Sequence, residues 1–375
     1  MSRKIKILFT IPNFVTAGSG REMMNIIDRL DKEYFEPMIC VETEGGKLFR
    51  EATNKGYKVI VHKFTCYDTK GLISIIKSAH KVAKYFKSYR FDIWQSFNWS
   101  SDFSEALVAW FSGAKYVYVK KNMNWNRVAW KVKSLLSEAI VVRNTTMLNY
   151  FFRAPYLRYK THYIPGGVDN TRFYKSSYNI RDNYKIADDA VVISCVAQLV
   201  RSKGQDTLIK AIASIDNIIL ILAGNARDKA YSTELQKLVS QLNIRNRVIF
   251  AGNISDVNAI LNSTNIFVLP TTDKDGHEEG CPVSLLEAMA AEVPCIASNV
   301  AGNRDLIHTN DTGLLFSPDN VEELRSCILK YMDKITYAAE MAKNALKRQR
   351  SEYTLEIEAQ AFNRMYRKIM KIKAK

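Results

Sequence analysis

No stretch of this 375-residue sequence approaches eighteen uninterrupted apolar residues, which leaves no candidate for a transmembrane helix. The first ten residues lack the length and the small-residue cleavage site of a signal peptide, so a cytoplasmic chain is expected. Its six cysteines include no C-x-x-C pair, and its five histidines show no H-x-x-x-H spacing. A disulfide framework and a structural zinc site are therefore not expected, and the cysteines read as reduced, mostly buried hydrophobes. Glycine and proline are sparse, 16 and 8, with no low-complexity run, which argues against disordered and fibrous classes. What is present is a mixed globular composition, 47% apolar and 25% charged. The length exceeds one ordinary hydrophobic core and points to two domains.

Acidic residues are scarce in one half only. The net charge of +16 divides into +14 for residues 1–165, −1 for 166–350 and +3 for 351–375. A one-sided basic surface suggests an anionic partner: membrane headgroups, a phosphorylated acceptor or nucleic acid.

Strand-like and helix-like stretches alternate. Residues 4–11, 38–42, 58–61 and 91–95 read as strands, and 21–30, 48–54 and 72–86 as helices. After residue 190 the rhythm restarts. Strands fall at 191–196, 218–223, 248–251, 266–269 and 295–297, with helices from 205, around 233–241 and 257–261, and from 283. This alternation implies parallel sheets with helices on both faces, an α/β chain of two Rossmann-like, doubly wound domains. The run Ile164-Pro165-Gly166-Gly167 continues neither helix nor strand and places the boundary there, giving domains 1–166 and 167–350. Residues 351–371 read as one final helix, with Leu355, Ala359, Phe362 and Ile369 on its apolar stripe.

The chemistry concentrates in residues 265–316, which read as strand, polar loop, helix, strand and a loop holding Gly302, Asn303 and Arg304. In open α/β sheets ligands bind beyond the carboxyl ends of strands, where this polar loop lies. Glu279 and Glu287 stand eight apart, with Gly280, Cys281 and Pro282 following the first. Gly280 admits close backbone approach, and Pro282 suits a helix start. The amides of Val283 and Ser284 would then be free to hold a phosphate.

The run Glu279-Gly280-Cys281-Pro282-Val283-Ser284-Leu285-Leu286-Glu287 resembles the E-x7-E signature of retaining GT-B glycosyltransferases, specifically glycosyltransferase family 4. Residues 164–173 are similar to that family's I-P-N-G-V-D hinge, with Gly166 where Asn is usual. Gln198-Leu199-Val200-Arg201-Ser202-Lys203-Gly204 is similar to its G-R-L-x-x-x-K-G loop, and residues 301–305 resemble its G-G-x-x-E turn. The resemblance implies two domains facing a cleft, an acceptor-binding first domain and a nucleotide-sugar-binding second one. The final helix, 351–375, would cross back to the first domain. It implies that Glu279 holds hydroxyls of the donor sugar and Glu287 the ribose. Lys203, with a basic group near Gln198 or Arg201, would sit on the diphosphate, and Asn253 and Ile254 on the nucleobase. Gly18-Ser19-Gly20-Arg21-Glu22 would be the family's G-G-x-E loop, with Ser19 in place of one Gly, against the donor phosphates and the acceptor.

The histidine this family usually carries in its first domain has no counterpart. Asn98, Lys121 and Asn122 are the candidates to replace it on the acceptor side. No metal is implied, and the D-x-D of Asp273 and Asp275 reads as an acidic surface turn. The implied substrate is a UDP- or GDP-linked sugar, and the acceptor a cell-surface glycan or lipid-linked acceptor of lipopolysaccharide, capsule or exopolysaccharide synthesis. Residues 115–133 mix Lys120, Lys121, Arg127, Lys131 and Lys133 with Tyr116, Tyr118, Trp125 and Trp130. They read either as a patch lying on anionic headgroups at the inner face of the membrane or as a helix face over core aromatics. Two other readings stay open: a nucleotide-sugar epimerase or hydrolase on the same fold, and a non-catalytic basic protein that binds membrane or nucleic acid. The neutral second half, which carries the most specific motif, disfavours nucleic acid.

Overall fold

The computed structural model describes residues 3–14, 17–178, 180–274 and 278–372. It divides into two compact units, Met1–Pro165 with Leu355–Lys375, and Gly166–Thr354. Unit 1 begins with β1 (Ile5–Thr10), α1 (Ala17–Asp28), β2 (Phe35–Val41), α2 (Lys47–Asn54), β3 (Val59–Val61) and α3 (Leu72–Lys87). It continues through β4 (Ile93–Ser96), α4 (Ser104–Ser112), β5 (Lys115–Lys120), α5 (Val128–Leu136) and β6 (Ala139–Val142). A π-helical turn at Met147–Phe151 precedes α6 (Pro155–Arg158) and β7 (Thr161–Tyr163).

Unit 2 opens with α7 (Arg181–Tyr184), β8 (Val191–Val196), α8 (Gln205–Ile212), β9 (Ile218–Ala223), α9 (Lys229–Gln241) and β10 (Val248–Gly252). Then come α10 (Val257–Asn262), β11 (Ile266–Leu269), α11 (Val283–Ala290), β12 (Cys295–Ser298), α12 (Ala301–Leu306) and β13 (Leu314–Phe316). α13 (Val321–Asp333) and α14 (Ile335–Glu352) complete it, and α15 (Leu355–Ile369) returns to unit 1.

Both sheets are parallel. The order is β3-β2-β1-β4-β5-β6-β7 in unit 1 and β10-β9-β8-β11-β12-β13 in unit 2. Each sheet therefore winds outward in two directions from a central pair, β1/β4 and β8/β11. The loops leaving such a pair diverge at the carboxyl edge and open a ligand crevice there. The central strands are apolar on both faces because helices cover both. Ile193, Leu220, Ile221, Val268 and Ile296 are all buried.

α15 belongs to unit 1 for a physical reason. Phe362, Met365 and Tyr366 complete the apolar cluster formed by Phe9, Met23, Ile27, Val117 and Val141. The Tyr366 hydroxyl donates to Gln95 Oε1 at 2.8 Å. Glu358 accepts from Arg143 at 2.9 Å, both side chains nearly inaccessible.

Two expectations need correction, and one stretch left open between two readings is resolved. Residues 351–371 are not one helix. Glu352 ends α14, and Tyr353 breaks the helix with φ −130° and ψ 37°. Its carbonyl is claimed by Val168 N at 2.9 Å and Gln349 Nε2 at 3.0 Å, and its hydroxyl donates to the Asp305 carbonyl at 3.3 Å. Residues 301–305 form α12, not an open turn. The mixed stretch 115–133 is mainly interior: β5 is an inner strand, and Tyr116, Tyr118, Lys120, Trp130 and Lys133 are buried. The basic and aromatic residues there pack on one another, the Lys120 ammonium lying 3.9 Å from the Trp130 ring centre.

Candidate functional site

In unit 2 the central pair brings two loops together. After β8 the chain makes a 3₁₀ turn, Arg201–Lys203. After β11 it runs through Thr271 and Thr272, and the Thr272 amide donates to the Ser202 carbonyl at 3.1 Å. Gly204 must be glycine here. Its φ is +63°, and a Cβ would lie 2.1 Å from the Pro270 carbonyl oxygen. Held this way, Lys203 Nζ donates to Glu279 Oε1, and the Thr271 hydroxyl donates to the same oxygen at 2.7 Å. Lys203 keeps 26% and Glu279 12% of its side chain accessible, so the pair is shielded and still reachable.

The loop from Glu279 into α11 is braced by α12. Ala301 N donates to Glu278 Oε1 at 3.1 Å, and Gly302 N to the Glu279 carbonyl at 3.0 Å. A Cβ on Gly302 would stand 2.8 Å from the carbonyl oxygens of both Glu279 and Gly280, so only glycine permits this approach. Cys281 Sγ accepts from Gly166 N at 3.4 Å. Pro282 caps α11 with φ −77°, and Val283 and Ser284 at its first turn are exposed and partly exposed. Their amides have no carbonyl one turn earlier within the helix to receive them.

Glu287 sits in the second turn of α11, partly buried. Burial pushes its carboxyl from 4.5 up to about 7, with Arg172 pulling the other way. Asn253 is exposed beyond β10, and Ile254 packs on the cluster of Ile180, Ile221 and Ile260. Gln198 is exposed, and its carbonyl accepts from Gln205 Nε2 at 2.9 Å. Arg201 is engaged elsewhere. Its guanidinium pairs with Glu234 at 2.5 Å and lies 5.4 Å from the Tyr231 ring centre, lining a separate pocket with Asp206 and Asp228. Asp273 is exposed, whereas Asp275 lies outside the described residues. Among the described residues no three His, Cys, Asp or Glu gather in a metal-binding group.

In unit 1, Gly18, Ser19 and Gly20 form the first turn of α1 rather than a loop before it. Gly20 serves packing, since a Cβ would meet Leu48 Cδ1 at 2.7 Å. One turn on, Glu22 accepts from Lys121 Nζ at 2.9 Å and contacts Arg143. Lys121 lies 4.7 Å from the Phe97 ring centre. Its burial pushes the ammonium down to about 7 against the pull of Glu358. Asn98 does not face an open site. Its amide donates to Tyr67 OH at 2.7 Å and weakly to Glu105 Oε2 at 3.4 Å. Asn122 is held by Trp99 and Lys120.

The sequence reading missed Glu105 and the Glu22–Arg143 contact. Glu105 is fully buried and also accepts from Thr10, Trp94, Ser96 and Tyr116. It thus ties the ends of β1 and β4 together. Burial raises its carboxyl, opposed by Lys133. The available signals were an acid two residues after the glycine run and an arginine directly after an apolar strand.

Residues 176–348 match the family model described as "Glycosyl transferases group 1". The chain is similar to the glycosyltransferase from Rickettsia africae ESF-5, TM-score 0.83 at 19% identity, covering 99% of this chain and 100% of that one. It is equally similar to Anabaena Alr3699/HepE in complex with UDP and glucose, TM-score 0.83 at 19% identity, covering 96% and 99%. The fold is GT-B. Among curated sequences this GT-B chain is 30% identical over 207 residues to a GDP-mannose-dependent monoacylated alpha-(1-6)-phosphatidylinositol monomannoside mannosyltransferase of Corynebacterium glutamicum. That match covers 52% of this chain and 53% of the relative. The capsular polysaccharide biosynthesis glycosyltransferase CapM of Staphylococcus aureus is 26% identical over 210 residues, 55% and 53% of the two chains. The chain spans about half the length of the curated relatives it matches.

Proposed function

We propose that this chain is a retaining, family 4-type glycosyltransferase. In this reading the domain of residues 167–350 binds a UDP- or GDP-linked sugar. The domain of residues 1–166, with 351–375, receives a glycan or lipid-linked acceptor at the inner face of a membrane. The observation that carries the reading is the Lys203–Glu279 pair beside the start of α11. A lysine, a carboxylate and free helix amides in one place suit a sugar diphosphate.

The acceptor hydroxyl attacks the anomeric carbon, the bond from that carbon to the β-phosphate oxygen breaks, and the hydroxyl proton passes to the departing phosphate. Charge grows on that phosphate during the step. Lys203 and the amides of Val283 and Ser284 oppose it more strongly then than in the ground state. Glu279 holds sugar hydroxyls, Glu287 the ribose, and Asn253 with Ile254 borders the base. The cation at the diphosphate is Lys203, which stands beside Glu279, whereas Arg201 lines the pocket of Glu234, Asp206 and Asp228. On the acceptor side Lys121 is the candidate that fits, being less consumed by structural hydrogen bonds than Asn98 and Asn122. The family-model match and the mannosyltransferase, capsule and lipopolysaccharide relatives support this reading.

The test is a thermal-shift panel of nucleotides and nucleotide-sugars, followed by transfer assays on Glu279→Ala and Lys203→Ala. A UDP- or GDP-sugar should raise the melting temperature. Each variant should lose transfer by ~10²-fold or more with an unchanged circular dichroism spectrum. Near wild-type turnover in either variant refutes the role given to that residue.

A further inference from the structure

Between Asp68 and Asp92 the sequence carries Lys70, Lys77, Lys81, Lys84, Lys87 and Arg90 and no acidic residue. α3 spans most of this stretch. Its inner stripe, Ala79, Ala83 and Phe86, is buried. In its first two turns, however, Leu72, Ile73 and Ile76 are 61%, 72% and 39% exposed. Ile73, Lys77, His80 and Lys84 follow at spacings of four, three and four, so they share one outward face. Among the described residues Lys70, Lys77, Lys81, Lys84 and Lys87 make no ion pair. Some other cations of unit 1 are neutralised, Arg3 by Asp92, Lys55 by Asp28, Lys63 by Asp68 and Lys115 by Glu138, but on α3 the whole run is left without an acid. The helix thus joins an uncovered aliphatic tip to a run of unneutralised charge.

We propose that α3 is the membrane-docking element. Leu72, Ile73 and Ile76 enter the boundary between headgroups and acyl chains of an anionic bilayer, and the lysines lie against the headgroup phosphates. An interfacial helix needs both parts, an apolar face to insert and cations that tolerate variable headgroup positions. A soluble acidic partner would use the charge and leave the aliphatics without a role. The purpose of the contact, delivery to a lipid-linked acceptor, rests on the transferase reading. The contact itself does not.

Vesicle sedimentation tests it, using phosphatidylcholine alone and phosphatidylcholine mixed with phosphatidylglycerol. The wild-type chain should bind the anionic vesicles at least ~10-fold better, and salt should weaken this binding. Leu72→Ser with Ile73→Ser, and separately Lys77→Glu with Lys84→Glu, should each reduce it ~10-fold without moving the melting temperature or nucleotide stabilisation. Equal or absent binding to the two vesicles overturns the proposal. So does loss on charge reversal with no loss on removing the aliphatics, which marks a site for a soluble anion. Failure of every nucleotide to stabilise the wild-type chain overturns the transferase reading and leaves the vesicle result standing.

Discussion

Single side chains set the electrostatics of unit 2. Glu287 titrates near 7 because α11 takes it out of water, so the folded chain holds its proton where the unfolded chain has lost it. The stability this contributes is complete below about pH 4.5 and is lost as pH rises through about 7. Glu287→Gln should therefore raise the melting temperature above pH 7 and leave it nearly unchanged at acid pH, as read by calorimetry. If the ionised carboxylate accepts ribose hydroxyls, nucleotide affinity should strengthen as pH rises through 7, and the same variant should flatten that profile. At this scale the sequence was informative in part. The resemblance to family 4 marked Glu279, Glu287 and Lys203, and the structure pairs Lys203 with Glu279. The commitment of Arg201 to Glu234 was not visible, because that pair joins residues far apart in the chain on elements whose adjacency only the fold creates.

Elements hold these groups in place, and the tightest constraint is α12 against the loop before α11. Gly302→Ala should push the Glu279–Gly280 backbone away by a few tenths of an ångström, the nearest carbonyl oxygens lying 2.8 Å from the added carbon. The expected result is a raised donor KM with a melting loss of a few degrees, measured by steady-state kinetics and thermal unfolding. Element boundaries in unit 2 were readable because its central strands are apolar runs, as in 191–196 and 218–223, the first broken only by the buried Ser194. Unit 1 was harder beyond residue 96. β5 reads Lys-Tyr-Val-Tyr-Val-Lys, an alternation that looks half-solvated, yet the strand lies inside the sheet. Its terminal Lys120 is buried by donating to the Asn122 and Asn124 carbonyls, a compensation that composition does not reveal. The same disguise left 115–133 open between a headgroup patch and a helix face over core aromatics, while the exposed basic helix α3 was read only as a helix.

At the scale of the whole molecule, two doubly wound sheets share one chain, and unit 1 is assembled from both sides of unit 2. The Arg143–Glu358 pair fastens the returning helix where both charges are almost fully enclosed. Glu358→Ala leaves the guanidinium with Glu22 and the Ile164 carbonyl and should cost unit 1 about 1–3 kcal/mol, read by denaturant unfolding. A loss below about 1 kcal/mol would show that the apolar contacts of Phe362 and Tyr366 alone hold α15.

That returning helix also orders events on the ribosome. The nascent chain exposes Phe9, Met23 and Ile27 early, but the segment that covers them is translated only after all of Gly166–Thr354. The second-made unit can therefore finish folding before the first-made one. Until Leu355–Ile369 emerges, the apolar face of the opening half stays open to water, and a premature stop codon in the last helix should be as damaging as one far upstream.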